Sequence, residues 1–555
     1  MDISSSRHYS KLARDYITAF ETSPVKQFFP IAPDVHAPAF KELLEQRAAQ
    51  SHGADAQTKR KQLVDALHKQ HTSAGTLTQK VEDNLKKLLG DRCCAIVTGQ
   101  QVGLLGGPLY TLYKALHTVI LADQLKAVYS DYEFVPIFWQ ETEDHDFEET
   151  SGINIITSNF ELRNIRYQPT ADISRRQIGG IAFEKEALES VFSEIEGLIP
   201  KTDFSGEVLA FYRKAYRADL TFAESQAILL GELLSPDGLL ILNPNTPELK
   251  KQATHLFRKE IETAPYLSDS IHEVSKNIEA CGYHAQLDMQ GMNLFIADNG
   301  KRFKLSKIGD GFSYNSQALS TVEINKILTE HPERFSMNVV MRPLVQDTIL
   351  PTVAYVAGPG EIAYFTQLKS AYDWAGVKMP LIMPRIGMTL VEDRFEKLIS
   401  KYQITAVDLI EKGDSIIPQL LSTEQETRIS SSFSKIGTEV ESAVESLRTI
   451  IASTDQTLDP ALTTVKGKML TALKDLEGKS LAAERKKQSG ARQQFEKALN
   501  VLLPEGKLQE RELSLLYFLN KYGMDFWARL KRQLMAKPPE TDSHHIIGVS
   551  NILNS

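Results

Sequence analysis

A chain of 555 residues exceeds what one hydrophobic core supports, so more than one domain is expected. The apolar fraction, 42%, is that of a globular protein, and a net charge of −8 argues against a dedicated nucleic-acid binder, whose footprint would be basic. The three cysteines, Cys93, Cys94 and Cys281, form no C-x-x-C pair, so neither a disulfide framework nor a cysteine-rich zinc site is indicated.

The start, M-D-I-S-S-S-R-H-Y-S, has no apolar leader segment, and no apolar run approaches membrane-spanning length. A cytoplasmic protein without a membrane partner is expected. Residues 1–90 read as mostly helical. Leu63, Val64 and Leu67, then Leu77, Val81, Leu85, Leu88 and Leu89, recur at helical spacing. Pro24, Pro30, Pro33 and Pro38 mark an irregular early segment.

The stretch Ala95–Ala127 organises the rest of the chain. Ala95-Ile96-Val97 is long enough for a buried strand. A turn with Gly99, Gly103, Gly106 and Gly107 comes next, and Pro108 suits the first position of a helix. Leu109, Leu112, Tyr113, Leu116, Val119, Ile120 and Ala122 continue it at helical spacing. Strand, glycine loop and helix together aim backbone N–H groups and a helix dipole at one point, which suits a phosphate. Thr98, Gly99, Gly106, Gly107, Pro108 and Lys114 are the candidate nucleotide-binding residues here, and Gln100, Gln101 and Tyr110 candidates for substrate. The competing reading is a tight strand-to-helix turn without a ligand.

A second strand, Phe134–Trp139, runs into Q-E-T-E-D-H-D-F-E-E at 140–149. Ligands of open α/β sheets sit beyond the carboxyl ends of the strands, the edge that also holds the glycine loop. Glu148 and Glu149 fit a helix start, where acids favour the dipole. Glu143, Asp144 and His145 are the candidate catalytic residues, and Asp146 a candidate for binding. Adjacent residues rarely converge on one ion, so no metal site is assigned to this run.

Residues 150–235 read as an insertion with a Gly179-Gly180 turn and helical patterns. Leu239–Leu242 returns to a buried strand. Residues 281–335 form a second insertion of hairpins, with strands near Asn293–Ile296 and Lys301–Leu305. Met341-Arg342-Pro343-Leu344-Val345-Gln346-Asp347 precedes the strand Pro351–Val356. Gly358-Pro359-Gly360-Glu361 and a helix come after it, so the strand, glycine loop and helix recur. Pro380–Pro384 is the next strand. Two glycine loops on parallel strands open on one edge and make a cleft, with Gly358 and Gly360 on its second side. Arg342, Gln346, Asp347 and Glu361 are its candidate binding groups.

From 422 to 500 the pattern changes. Phe433, Ile436, Val440, Ala443, Leu447 and Ile450 step by three and four. After a short break, Leu462, Val465, Met469, Ala472 and Leu476 do the same. This is a coiled-coil hairpin whose free face predicts a homodimer. Asp459 is placed as the cap of the second helix. The charge run Glu484-Arg485-Lys486-Lys487 reads as a solvated face. Residues 501–555 are expected to pack back on the core. The domains are thus 1–421, an α/β parallel-sheet core with its two insertions, then 422–500 and 501–555.

Six motifs carry a family resemblance: T-G-Q-Q-V-G-L-L-G-G-P-L-Y-T-L-Y-K at 98–114, F-W-Q-E-T-E-D-H-D-F-E-E at 138–149, G-Y-H-A-Q at 282–286, M-R-P-L-V-Q-D at 341–347, L-P-T-V-A-Y-V-A-G-P-G-E-I-A-Y at 350–364 and L-Q-E-R at 508–511. In this order, over nearly the whole chain, they resemble the bacillithiol-biosynthesis cysteine ligases. The resemblance implies a Rossmann-like core with connecting-peptide insertions, related to class I cysteinyl-tRNA synthetases, and a dimerising coiled coil. It implies a ligase that joins cysteine to the amine of glucosaminyl malate. ATP, with or without Mg2+, is the expected activator of the cysteine carboxylate, and no zinc is expected. The base could be His145, Asp144 or Glu143, and the same acids could instead bind the ammonium of cysteine or sugar hydroxyls. Two departures stand out. The H-x-G-H signature of class I synthetases is replaced by T-G-Q-Q, and Lys304-Leu305-Ser306-Lys307, similar to their second signature, falls in a hairpin insertion. Two competing functions are another amide- or adenylate-forming ligase on the same core, and a coiled-coil scaffold with a degenerate nucleotide fold. The scaffold predicts a cleft without convergent polar groups.

Overall fold

The computed structural model describes residues 1–50, 52–421 and 424–554. Two compact units divide the chain: Met1–Val391 with Lys507–Ser555, and Glu392–Gly506. The domain boundary expected at 421/422 touches residues 422 and 423, which lie outside the described ones.

The first unit is built on five parallel strands: β1 (Cys93–Gln101), β2 (Glu133–Glu141), β3 (Leu240–Leu242), β4 (Thr352–Ala357) and β5 (Leu381–Pro384). Their spatial order is β5-β4-β1-β2-β3, and every pairing is parallel. The apolar runs read from the sequence form these strands because both faces of the sheet are covered. Cys93, Ala95 and Val97 enter one core with Leu63, Leu67, Leu85 and Leu344, while Cys94 and Ile96 enter another with Phe40, Leu44, Leu121 and Leu125. Burial pushes the thiols of Cys93 and Cys94 up, so both stay protonated.

The chain winds outward from β1 through β2 to β3, then crosses back to β4 and β5. The order reverses between β1 and β4, and a ligand crevice forms at such a switch point, beyond the carboxyl ends of the strands. The helix α1 (Leu109–Val128) comes after β1 and is buried on nearly all sides. It begins one residue later than expected, with Pro108 as its cap. β1 also runs further than its apolar core, through Gly99 to Gln101, because both residues pair with the long strand β2.

The first insertion holds a hairpin, Gly152–Ile156 with Leu162–Arg166, and three helices ending in α2 (Phe222–Leu234). The second holds the strands Leu294–Asp298 and Lys301–Lys304, joined by Phe335–Met337, and a smaller three-stranded sheet over 306–319. Met341–Ile349 is a helix, α3, and α4 (Pro359–Phe365) starts at Pro359.

Gly231 of α2 lies against Thr76. A Cβ added there would sit 2.2 Å from Thr76 Cγ2 and 2.7 Å from its Cβ. Alanine gains about 1 kcal/mol of helix propensity over glycine. Overpacking a close contact costs about 1–3 kcal/mol. The neighbour's Cβ cannot rotate away, so the clash wins: Gly231→Ala is expected to lower the urea midpoint, and an unchanged or higher midpoint would refute this.

The C-terminal segment is clamped to the first unit. β6 (Gly387–Val391) pairs in parallel with β7 (His544–Gly548). In the short helix α7 (Gln509–Glu512), the Gln509 amide accepts from Leu390 N at 2.8 Å and donates to Leu390 O at 3.0 Å. The buried Glu510 accepts from Met388 N at 2.9 Å and pairs with Arg385. The L-Q-E-R motif is therefore in large part a structural clamp.

In the second unit, α5 (Glu424–Thr454) and α6 (Asp459–Leu502) form an antiparallel hairpin. Arg448 binds Asp459 at the turn, and Lys466 lies 3.8 Å from Glu441. Asp459, expected as the cap, is the first residue of α6, and Leu458 precedes it. Val444 and Leu462 are buried, whereas Ile436, Leu447, Ile450, Val465, Met469 and Leu476 stay 43–63% exposed. Among the described residues, no helix is long and apolar enough to cross a membrane.

Candidate functional site

A cavity of about 680 Å³ opens where the sheet order reverses. Its floor is the carboxyl end of three strands. β1 gives Gly99, Gln100 and Gln101, β2 gives Trp139 and Glu141, and β4 gives Tyr355 and the loop Gly358–Glu361. Tyr110 and Lys114 of α1, Arg342 of α3, Tyr364 of α4, Asp144, His145, Arg302, Arg385 and Arg511 complete the polar lining. A second chamber of about 400 Å³ shares Gln100, Gln101, Tyr110, Glu149 and Arg511 with the first. The cleft thus has convergent polar groups, which the scaffold reading does not predict.

Lys114 is the tie between the two glycine loops. Its ammonium is 1% exposed, pairs with Glu361 Oε2 at 2.6 Å, and donates to Gly99 O at 2.5 Å and Gln100 Oε1 at 3.3 Å. Burial lowers its pKa and Glu361 opposes the shift. Glu361 also accepts from Tyr355 Oη and from Gly358 N, each at 2.7 Å. Its oxygens therefore already hold the cleft walls together, although the sequence suggested a substrate ligand.

On the acidic side, Asp144 Oδ2 accepts from Gln101 Nε2 at 2.5 Å, and its Oδ1 accepts from His145 N at 2.7 Å. Arg302, reaching in from the second insertion, lies 3.0 Å from His145 Nδ1 and 3.5 Å from Asp144, and stacks 3.8 Å from the Phe295 ring centre. Burial and the Arg302 charge lower the His145 pKa, so the ring is neutral and its Nδ1 accepts from Arg302. Gln100 Nε2 donates to Tyr110 Oη at 3.2 Å, and burial pushes that phenol up to about 12.

Of the residues singled out in the sequence, Gly99, Gln100, Gln101, Tyr110, Lys114, Asp144, His145, Arg342, Gly358, Gly360 and Glu361 line the cavity. Gly107 and Pro108 line the second chamber. The remainder sit elsewhere. Glu143, expected as a base, is 1% exposed and paired with Lys250 at 2.5 Å. Asp146 is exposed and caps the turn at 147–150 through Glu149 N at 3.3 Å. Thr98 is buried and donates to Val356 O at 2.8 Å. Gln346 accepts from Arg342 at 3.1 Å and donates to Asp347 at 2.9 Å, so both brace Arg342 from below. Asp347 in turn takes the Tyr372 hydroxyl at 2.6 Å.

In the first glycine loop, where a phosphate cradle was expected, three N–H groups are already taken. Gly106 N donates to Tyr216 Oη at 2.9 Å, Gly107 N to Leu104 O at 3.0 Å and Leu109 N to Leu513 O at 2.8 Å. Gly106 and Gly107 have φ of +89° and +70°, so the backbone itself demands glycine at both.

Glu141, Trp139, Arg302, Tyr355, Tyr364, Arg385 and Arg511 are cavity residues that were not singled out. Strand periodicity could have found Glu141, since Trp139 and Glu141 share one face of β2. Burial raises the Glu141 pKa to about 7; Glu143 and Asp144 add to the shift, while Arg342 and Arg302 oppose it. Arg342 Nε lies 3.9 Å from Glu141 Oε2. Gln286, the last residue of G-Y-H-A-Q, enters the cavity because its backbone N donates to Gln367 at 2.9 Å.

Comparison with known families agrees with this geometry. The domain description "Bacillithiol biosynthesis BshC, N-terminal Rossmann-like domain" matches residues 1–386, and "Bacillithiol biosynthesis BshC, C-terminal coiled-coil domain" matches residues 388–548. A protein of Salinibacter ruber named "Putative cysteine ligase BshC" is 32% identical over 538 residues, 96% of this chain and 95% of its own. Proteins of the same name from Chlorobaculum tepidum and Bacillus velezensis are 32% and 30% identical, over 88% and 85% of this chain and 89% and 88% of theirs. With both domains matched and the Rossmann-like cleft in place between β1 and β4, the chain belongs to the BshC family.

Proposed function

We propose that the chain is a carbon–nitrogen ligase that joins the carboxylate of cysteine to the amine of glucosaminyl malate, giving bacillithiol. Family membership supports the reaction type. The observation that carries the location is the cavity at the switch point, where five cations (Lys114, Arg302, Arg342, Arg385, Arg511) and four carboxylates (Glu141, Asp144, Glu149, Glu361) converge. A mixed lining of this kind suits substrates that bring both carboxylates and an amine. The cavity volume lies in the range of about 300–1,000 Å³ usual for small-molecule sites.

A carboxylate is a poor acceptor for an amine, so the proposal includes ATP with Mg2+ as co-substrate, which supplies the activation. Charge for its phosphates would come from the cationic edge rather than from the first glycine loop. Arg511, exposed between the two chambers and without an ion-pair partner among the described residues, is the residue placed to hold them. Arg342 is held by Gln346 and by the Tyr364 hydroxyl at 2.7 Å, so its charge is fixed in place for a substrate carboxylate. Asp144 and His145 are positioned by Gln101 and Arg302 to bind substrate hydrogen-bonding groups.

The thiol pool of a strain lacking this gene tests the reading. Accumulated glucosaminyl malate with no bacillithiol, restored by the intact gene, is the expected result. Normal bacillithiol in the deletion strain would overturn it.

The coiled coil is proposed to make a homodimer. The six apolar residues left exposed on α5 and α6 support this, since they fall at the three-four positions of a coiled-coil seam. Light scattering is expected to report a dimer at micromolar concentration, and a monomer for a chain in which Leu447, Ile450, Val465 and Met469 are all replaced by glutamate. A monomeric unaltered chain would rule the proposal out.

A further inference from the structure

One carboxylate of the cavity is loosely held. Glu141 lies at the carboxyl end of β2, its side chain 21% exposed, with Arg342 Nε 3.9 Å away, and its buried Oε2 accepts no hydrogen bond from the described residues. A buried charged acceptor without a donor is costly unless a ligand supplies one. The other acids nearby have closer partners: Glu143 has Lys250, Asp144 has Gln101 and its own loop, Glu149 has Gln101, and Glu361 has Lys114, Tyr355 and Gly358. Trp139, two residues earlier on the same strand face, is fully buried and backs this wall of the cavity. A substrate ammonium would give Glu141 the donor it lacks.

Resting on the ligase reading above, we propose that Glu141 is the catalytic base, taking a proton from the ammonium of the amino-sugar substrate. One N–H bond of the ammonium breaks and its electron pair stays on nitrogen. The proton passes to a carboxylate oxygen, which becomes a neutral carboxylic acid. The freed amine is then the nucleophile for the activated acyl group. An ordinary carboxylate is too weak a base for this transfer at neutral pH, and efficiency is greatest when the pKa of the base is near the working pH. The position of Glu141 meets that need. Arg342 and Arg302 face it from one side, Glu143 and Asp144 come after it in the chain, and Lys250 lies beyond Glu143, yet burial keeps its pKa at about 7.

Glu141→Gln keeps the shape of the protonated side chain and removes the base. With cysteine, ATP and glucosaminyl malate, kcat is expected to fall about 100- to 10,000-fold, with KM for cysteine little changed. For the unaltered enzyme kcat/KM for glucosaminyl malate should rise with pH through about 7, and the variant should lack that limb. Hydroxylamine, already unprotonated at neutral pH, should be acylated at nearly equal rates by both proteins, which checks that the variant is folded and still activates cysteine. Stability gives a second readout. A carboxyl raised from its ordinary 4.5 to about 7 contributes stability below pH 4.5 that is lost as pH rises through 7, so Glu141→Gln should be the more stable protein above pH 7. A variant that keeps kcat within about threefold, a change too small for general-base loss, overturns the role of Glu141 alone. So does an unaltered enzyme with no ionisation near 7 in kcat/KM, or equal loss of the hydroxylamine reaction. An unaltered enzyme that makes no bacillithiol from these substrates overturns the ligase reading and this proposal with it.

Discussion

Replacing Lys250 by methionine is expected to lower unfolding free energy by about 3–5 kcal/mol, the cost of leaving one charge of a buried pair alone. Lys250 is 0% exposed and Glu143 1%, with 2.5 Å between them, and the ammonium also donates to Phe335 O at 3.1 Å. The pair joins the loop after β2 to the helix that comes after β3. Burial lowers the Lys250 pKa and Glu143 draws it back up, so the ammonium depends on its partner to stay charged. Without Lys250, the buried Glu143 loses its direct ion-pair partner. The double variant Lys250→Met with Glu143→Leu should recover most of the loss, because neither charge then needs solvent. Urea unfolding of the four proteins of this cycle measures both effects. A single variant within about 1 kcal/mol of the parent would place the pair in contact with water and refute the argument.

The second large effect is on activity. Lys114→Met is expected to reduce ligation by about 100-fold or more, because displacing reacting groups by an ångström costs that much. The ammonium holds Gly99 O and Gln100 Oε1 of β1 and Glu361 Oε2 of the helix after β4 at once, across the switch point. Its removal leaves Gly99 O without this donor and lets Glu361 swing from the Gly358 loop. Unpaired buried polar groups cost about 1–3 kcal/mol each, so a lower thermal midpoint should accompany the loss. Lys114→Arg should not rescue, since a site 1% exposed has no room for a planar fork. Steady-state assays varying each substrate check this. A methionine variant with near-normal kcat would mean that Lys114 only fills space.

The structure separates what was readable locally from what was not. The buried strands around Ile96, Ile137, Ile241, Val353 and Ile382 were legible as apolar runs, and so were the two glycine loops, the hairpin insertion and the three-four stepping of α5 and α6. Asp144, His145 and Lys114 line the cavity as expected, because polar residues directly after a buried strand, or early in the helix that follows it, stand at the sheet edge. Glu143 was misjudged because its partner lies 107 residues away, and no local pattern announces Lys250. The first glycine loop looked like an anion cradle because its N–H groups are free in the sequence; in the fold they meet Tyr216 and Leu513.

The sequence alone determined the alternation of strands and helices, hence a parallel sheet with its ligand edge at the strand ends, and the coiled-coil hairpin. Periodicity and glycine placement act over a few residues, and the chain carries that information wherever it folds. The tertiary structure alone decided which polar groups stay unspent. That depends on hydrogen-bond partners brought together from distant segments, as Arg302, Arg385 and Arg511 are brought to one cavity with β2. Glu141 and Glu143 show the difference: two acids two positions apart, at the end of β2 and just beyond it, one locked to a buried lysine and one left facing the cleft.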